Sequence, residues 1–157
     1  MGKFLKSTSH EKENCASVIL EIIHTDVCGP LSVASIAKHR YYVIFFDDFS
    51  RRCWIFFIQN KSETFSKFCE FKALVEKESR KQVKAPRSDN GGEYISSKFK
   101  EFCRKEGIRR ELIAPHNPQK NGVTERKNRT IVGAAQAMLH DRGLLMHLWA
   151  EACNIVV

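Results

Sequence analysis

Between Val18 and Val27 nearly every residue is apolar, whichever parity is followed: Val18-Ile19-Leu20-Glu21-Ile22-Ile23-His24-Thr25-Asp26-Val27. Successive side chains of an extended chain point to opposite faces, so this run suits a strand covered on both sides. Cys28-Gly29-Pro30 ends it, because proline cannot remain in a central ladder. The run also delivers a carboxylate, Asp26, at its end.

The later chain supplies partners for such a strand. Tyr41-Tyr42-Val43-Ile44-Phe45-Phe46 and Cys53-Trp54-Ile55-Phe56-Phe57-Ile58 read as a hairpin turned by Asp47 to Arg52. A helix capped by Asn60 or Ser62 follows and ends near Ser79, with Phe65, Phe68, Cys69, Lys72 and Val75 on its apolar stripe. Residues 81–88 form a fourth strand, in which Pro86 removes one donor. Ser96 or Ser97 caps a second helix that Gly107 ends, and Arg109 to Ala114 is a fifth strand. Pro115 to Gly122 reads as an irregular loop, and a long helix runs from about Gly122 to Asp141. A last apolar helix begins at Leu144. The order strand, strand, strand, helix, strand, helix, strand, helices favours an α/β domain with a mixed sheet flanked by helices.

A chain of 157 residues is one domain by size. Residues 1–17 are polar and without periodicity, and read as a flexible leader, the remnant of an upstream module; 18–157 reads as the folded core, with truncation at its C-terminus expected. The absence of an apolar run of about 18 residues excludes a transmembrane helix, so no membrane partner is expected. The formal charge of +8 suggests a polyanionic partner. The six cysteines form no C-x-x-C pair and read as reduced residues of an intracellular protein.

Chemistry concentrates in three places. Arg87-Ser88-Asp89-Asn90-Gly91-Gly92-Glu93-Tyr94 puts a carboxylate where a strand opens into a glycine turn. Pro118 to Asn128 carries Glu125, with thirty-five residues between it and Asp89. Asp26 is the third acid. Two strand-end carboxylates and one on a helix are what a two-metal phosphoryl-transfer site requires, and their hard oxygens suit Mg²⁺ or Mn²⁺. Asp47 and Asp48 also follow a strand but read as turn residues, with Asp48 paired to Arg51 or Arg52. Glu93 reads as a residue that fixes the glycine turn, and His24 as a structural neighbour of the site. Asn117, Gln119 and Asn121 on the loop, with Arg126, Lys127, Asn128 and Arg129 beyond it, are candidates to hold DNA phosphates.

His24-Thr25-Asp26-Val27-Cys28-Gly29-Pro30, the Tyr41–Arg51 segment, Arg87–Tyr94 and Pro118–Asn128, in this order, resemble the integrase catalytic core of copia-type retrotransposon polyproteins. The resemblance spans roughly residues 18–157. It implies an RNase H-like fold, a five-stranded mixed sheet with helices on both faces. It implies a D,D-35-E triad of Asp26, Asp89 and Glu125 acting as both catalytic residues and metal ligands for two Mg²⁺ or Mn²⁺ ions. The implied function is DNA integration: trimming of the element's cDNA ends and their joining to target DNA. The implied partners are both DNAs and further copies of the chain, and the implied location is a cytoplasmic particle and then the nucleus. Two other readings use the same residues. One is an inactive nucleic-acid-binding relic, and the other is an RNase H-type nuclease that only hydrolyses.

Overall fold

The computed structural model describes residues 15–114 and 118–157, and of residues 118–121 the backbone only. The expectation of a leader at 1–17 falls mostly outside these residues. Five strands form one sheet: β1 (Ile22–Cys28), β2 (Tyr41–Asp47), β3 (Cys53–Ile58), β4 (Ala85–Ser88) and β5 (Glu111–Leu112), in the spatial order β3-β2-β1-β4-β5. β1 is central. It pairs antiparallel with β2 and parallel with β4; β2–β3 is antiparallel and β4–β5 parallel. The helices are α1 (Thr64–Ser79), α2 (Gly92–Ile95), α3 (Ser97–Glu106), α4 (Pro118–Asp141) and α5 (Trp149–Val156). Among the described residues no helix is long and apolar enough to cross a membrane.

The double-sided pattern of the opening run is explained by two cores, one on each face. Odd-numbered β1 and β2 residues (Ile23, Val43, Phe45) pack with Phe68, Phe71 and Val75 of α1 and with Phe99 and Cys103 of α3. Even-numbered β2 residues (Tyr42, Ile44) pack with Ile131, Ala135 and Leu139 of α4 and with Trp149, Ala152 and Cys153 of α5. Asp26 shares parity with Ile22 and His24, and therefore lies on the α4 side.

Several boundaries differ from the sequence reading. β1 starts at Ile22, because Leu20 takes a left-handed φ of 63° and its N–H donates to Asp47 Oδ1 at 2.9 Å. Asp26 is accordingly within β1, opposite Ile44 of β2, and does not follow the strand. The strand stops at Gly29, where φ is +127° and an added Cβ would stand 2.7 Å from the Arg40 carbonyl oxygen. The apolar stripe of α1 includes Phe71, which the sequence reading passed over and which stacks on Phe45 at 4.3 Å. Lys72, which interrupts that stripe, carries its ammonium to Glu76 at 2.9 Å. Ser96 caps α3, its Oγ accepting from Phe99 N at 3.3 Å. β5 counts only two ladder residues, yet Arg109 N to Lys84 O (3.0 Å) and Ile113 N to Ser88 O (2.7 Å) keep residues 109–113 alongside β4. α4 begins at Pro118, four residues before the expected Gly122. Proline is well suited to a first helical turn, where its missing N–H would have no partner.

Candidate active site

The β1–β4 register sets the site. Ile22 pairs with Ala85, Ile23 with Pro86 and His24 with Arg87. The ladder ends there; Asp26 lies two residues further along β1, and Asp89 is the first residue after β4. α4 covers the same face and carries Glu125, whose side chain is exposed.

The electrostatics show the convergence. Burial pushes the Asp26 carboxyl up to about 6, and the charges of Asp89, Glu93 and Glu125 act in the same direction; the Val27 amide opposes them. Asp26 Oδ1 accepts from Val27 N at 2.9 Å, and Oδ2 accepts from Asn128 Nδ2 at 3.1 Å. Among the described residues no three His, Cys, Asp or Glu side chains are gathered closely enough to hold one ion. All-oxygen donors around a raised carboxyl fit a hard divalent cation, which would relieve their mutual repulsion.

Asp89 follows β4 directly, and its Oδ1 accepts from Gly91 N at 2.9 Å. This turn is tied to β1 from the other face: the Tyr94 hydroxyl, buried at 1% exposure, hydrogen-bonds Thr25 Oγ1 at 2.9 Å. Glu93 stands in the first turn of α2. Its carboxylate also stands next to that of Asp89, so that a fourth negative charge borders the site.

Asn128 corrects an expectation. It is 8% exposed, and both ends of its amide are engaged within the protein. Tyr42 donates its hydroxyl to Asn128 Oδ1 at 2.9 Å, while Nδ2 donates to Asp26. It is therefore not free to hold a DNA phosphate. Arg126 and Arg129 are exposed on α4. Lys127 is half-buried, with its Nζ 5.5 Å from the centre of the Phe46 ring, over which Arg51 also lies at 4.6 Å. Asn117 lies outside the described residues; Gln119 and Asn121 have backbone in α4, and their side chains lie outside.

The other acids have structural work, as their turn positions suggest. Asp47 accepts from Leu20 N and from Ser50 N, each at 2.9 Å. Asp48 meets His24 Nε2 at 2.8 Å and Arg51 at 3.7 Å. Burial lowers the affinity of the His24 ring for a proton, and the Asp48 contact only partly offsets this. All six cysteines are free thiols.

A five-stranded mixed sheet of this order with helices on both faces is the RNase H-like fold of retroviral integrase cores. Residues 20–118 match the integrase core domain, and the chain belongs to that family. The match includes Asp26 and Asp89 and ends before Glu125. Over 134 residues the chain is 46% identical to the retrovirus-related Pol polyprotein from transposon TNT 1-94 of Nicotiana tabacum, covering 85% of this chain and 10% of that one. Over 138 residues it is 35% identical to that from transposon RE2 of Arabidopsis thaliana, covering 88% and 9%. The chain thus spans about a tenth of the length of these curated relatives. The copia-type motifs of the sequence agree with these relatives. Among solved structures, a chain of the simian T-cell lymphotropic virus intasome in complex with PP2A regulatory subunit B56 gamma aligns with a TM-score of 0.70 at 19% identity, over 88% of this chain and 49% of that one. The dimeric form of the HTLV-2 integrase catalytic core domain in complex with magnesium aligns at 0.63 and 22%, over 88% and 83%. At these identities the likeness is one of fold.

Proposed function

We propose that this chain is the catalytic core of a DNA integrase that processes the 3′ ends of retrotransposon cDNA and joins them to target DNA through a D,D-35-E site. The observation that supports this reading is the parallel pairing of β1, which carries Asp26, with β4, which leads into Asp89, together with the charges of Asp89 and Glu125 acting on the Asp26 carboxyl.

Asp26, Asp89 and Glu125 would hold two Mg²⁺ or Mn²⁺ ions. When bound, these supply charge stabilisation to the attacking and leaving oxygens of an in-line displacement. The protein's own contribution is position. The Val27 and Gly91 amides and the Asn128 side chain each donate to a carboxylate oxygen and hold it oriented. Arg126 and Arg129, exposed beside Glu125, are placed to hold phosphates of the DNA end. In the first step water attacks a phosphodiester near the cDNA end; the new P–O bond forms as the P–O3′ bond breaks. In the second the freed 3′ hydroxyl attacks a target phosphodiester, again breaking a P–O3′ bond; its proton passes to solvent, and the departing O3′ takes one from solvent. Joining two ends of one cDNA calls for more than one copy of the chain. The HTLV-2 core, a relative by fold, is described in dimeric and trimeric forms.

An end-labelled cDNA-end duplex tests the reading. Strand transfer gives labelled products longer than the substrate, whereas a purely hydrolytic nuclease gives only shorter ones. A relic binds DNA in a salt-sensitive way and gives neither.

A further inference from the structure

Tyr42 lies two residues from Ile44, the β2 partner of Asp26, and pairs with Cys28, so Tyr42 and Asp26 are diagonal neighbours on one face of the β1–β2 ladder. The side chain of Asn128, from α4, bridges that diagonal: 2.9 Å to the Tyr42 hydroxyl and 3.1 Å to Asp26 Oδ2. Tyr42 is fully buried, with 0% exposure, and burial holds its hydroxyl protonated well above the usual phenol range. Its O–H therefore remains a donor, with Asn128 Oδ1, a pure acceptor, at 2.9 Å and the Cys28 thiol as a further neighbour. That pairing decides which end of the amide faces the carboxylate. With Oδ1 committed to Tyr42, Nδ2 points at Asp26. A flipped amide would set two acceptors, Oδ1 and the carboxylate, against each other.

We propose that Tyr42 is a positioning residue for the candidate metal site: through Asn128 it fixes the carboxylate of Asp26 in the orientation that divalent-cation binding requires. The inference rests on the integrase reading given above. It adds a residue on β2, outside the acidic motifs, that acts only through its neighbour. Without the hydroxyl, Oδ1 becomes a buried acceptor with no donor and the amide loses its anchor. Groups behind a ligand that hold it in place usually matter to metal affinity by an order of magnitude.

The test uses the purified chain with Mn²⁺ as probe. Mn²⁺ affinity is measured by titration calorimetry well below the unfolding temperature, for the parent and for Tyr42→Phe, Asn128→Ala, the double variant and Asp89→Asn. Side-chain amide NMR of Asn128 is recorded on the metal-free parent, Tyr42→Phe and Asp26→Asn. Tyr42→Phe should weaken Mn²⁺ binding about fivefold and Asn128→Ala about tenfold. In the Asn128→Ala background the Tyr42 change should add less than about twofold, since both act through one path. The Asn128 amide resonances should move in both Tyr42→Phe and Asp26→Asn.

A purely structural role for Tyr42 would lower the unfolding temperature while leaving Mn²⁺ affinity unchanged, and this would overturn the proposal. So would fully additive effects, or Asn128 resonances indifferent to Tyr42. If Asp89→Asn binds Mn²⁺ as the parent does, the underlying metal-site reading fails, and this proposal fails with it. If Asp89→Asn loses binding while Tyr42→Phe keeps it, only the role of Tyr42 fails.

Discussion

The carboxylates of Asp89 and Glu93 converge on the bare Cα of Gly91: a Cβ added there would stand 2.9 Å from Asp89 Oδ1 and 2.8 Å from Glu93 Oε1. The backbone at Gly91 is ordinary, with φ −56° and ψ 147°, so an alanine brings no backbone strain. The atoms nearest its methyl group are the ends of two side chains, which can yield. Gly91→Ala should therefore cost less than about 1 kcal/mol of stability while displacing Asp89. Strand-joining activity should fall about tenfold or more, because small misplacements of reacting groups are costly. Chemical denaturation beside an activity assay checks the split; a large stability loss would show that the turn, not the carboxylates, needs the glycine.

Asp26 sets a pH signature of the metal-free protein. Its folded-state value is about 6 against an ordinary 3.8. The folded chain therefore binds more protons than the unfolded one between these values, and stability falls as pH rises through that window. Asp26→Asn removes this loss. In EDTA it should be more stable than the parent by about 1–3 kcal/mol at pH 7.5, with the difference disappearing near pH 3.5. Excess Mg²⁺ should narrow the gap at pH 7.5 by stabilising only the parent. Urea unfolding at the two pH values measures it; an equal difference at both would place the effect elsewhere.

Arg126 and Arg129 should contribute to DNA affinity without reading sequence. Each change to alanine should weaken binding of a DNA end and lower the slope of log K against log salt by about one. Asn128→Ala, at a buried residue, should leave that slope unchanged. Fluorescence anisotropy across a salt series separates the two classes.

The pairing of Arg87 with Glu111 joins β4 to β5 at 2.7 Å, with Arg87 6% exposed. Glu111→Ala should destabilise the chain by about 2–4 kcal/mol, since it strips a carboxylate from a buried guanidinium. Glu101 pairs with Arg104 on the open surface of α3, and Glu101→Ala should leave the denaturation midpoint essentially unchanged. Comparing the denaturation midpoints of the two variants tests this.

Much of the architecture is legible in the residues. β2 and β3 are dense in β-branched and aromatic side chains, and the two-faced apolar run announces a central strand. The strand-end position of Asp89 could be read because a glycine turn follows it. What could not be read depends on contacts distant in the chain. The apolar Leu20 looks like strand and is turned by Asp47, twenty-seven residues on. Pro118 looks like loop punctuation, but a proline that opens a helix cannot be told locally from one that prevents it. Asn128 stands among basic residues and reads as surface; its burial depends on Tyr42, eighty-six residues earlier. The one available signal was its spacing, three residues after Glu125 and one helical turn along toward the sheet.

The most direct test of the central claim is disintegration of a branched DNA in Mn²⁺, which demands little beyond the core itself. The parent chain should resolve the branch, and Asp89→Asn and Glu125→Gln should each lose at least about a hundredfold in rate while remaining folded. Resolution of the branch at undiminished rate in either variant would contradict the three-carboxylate site.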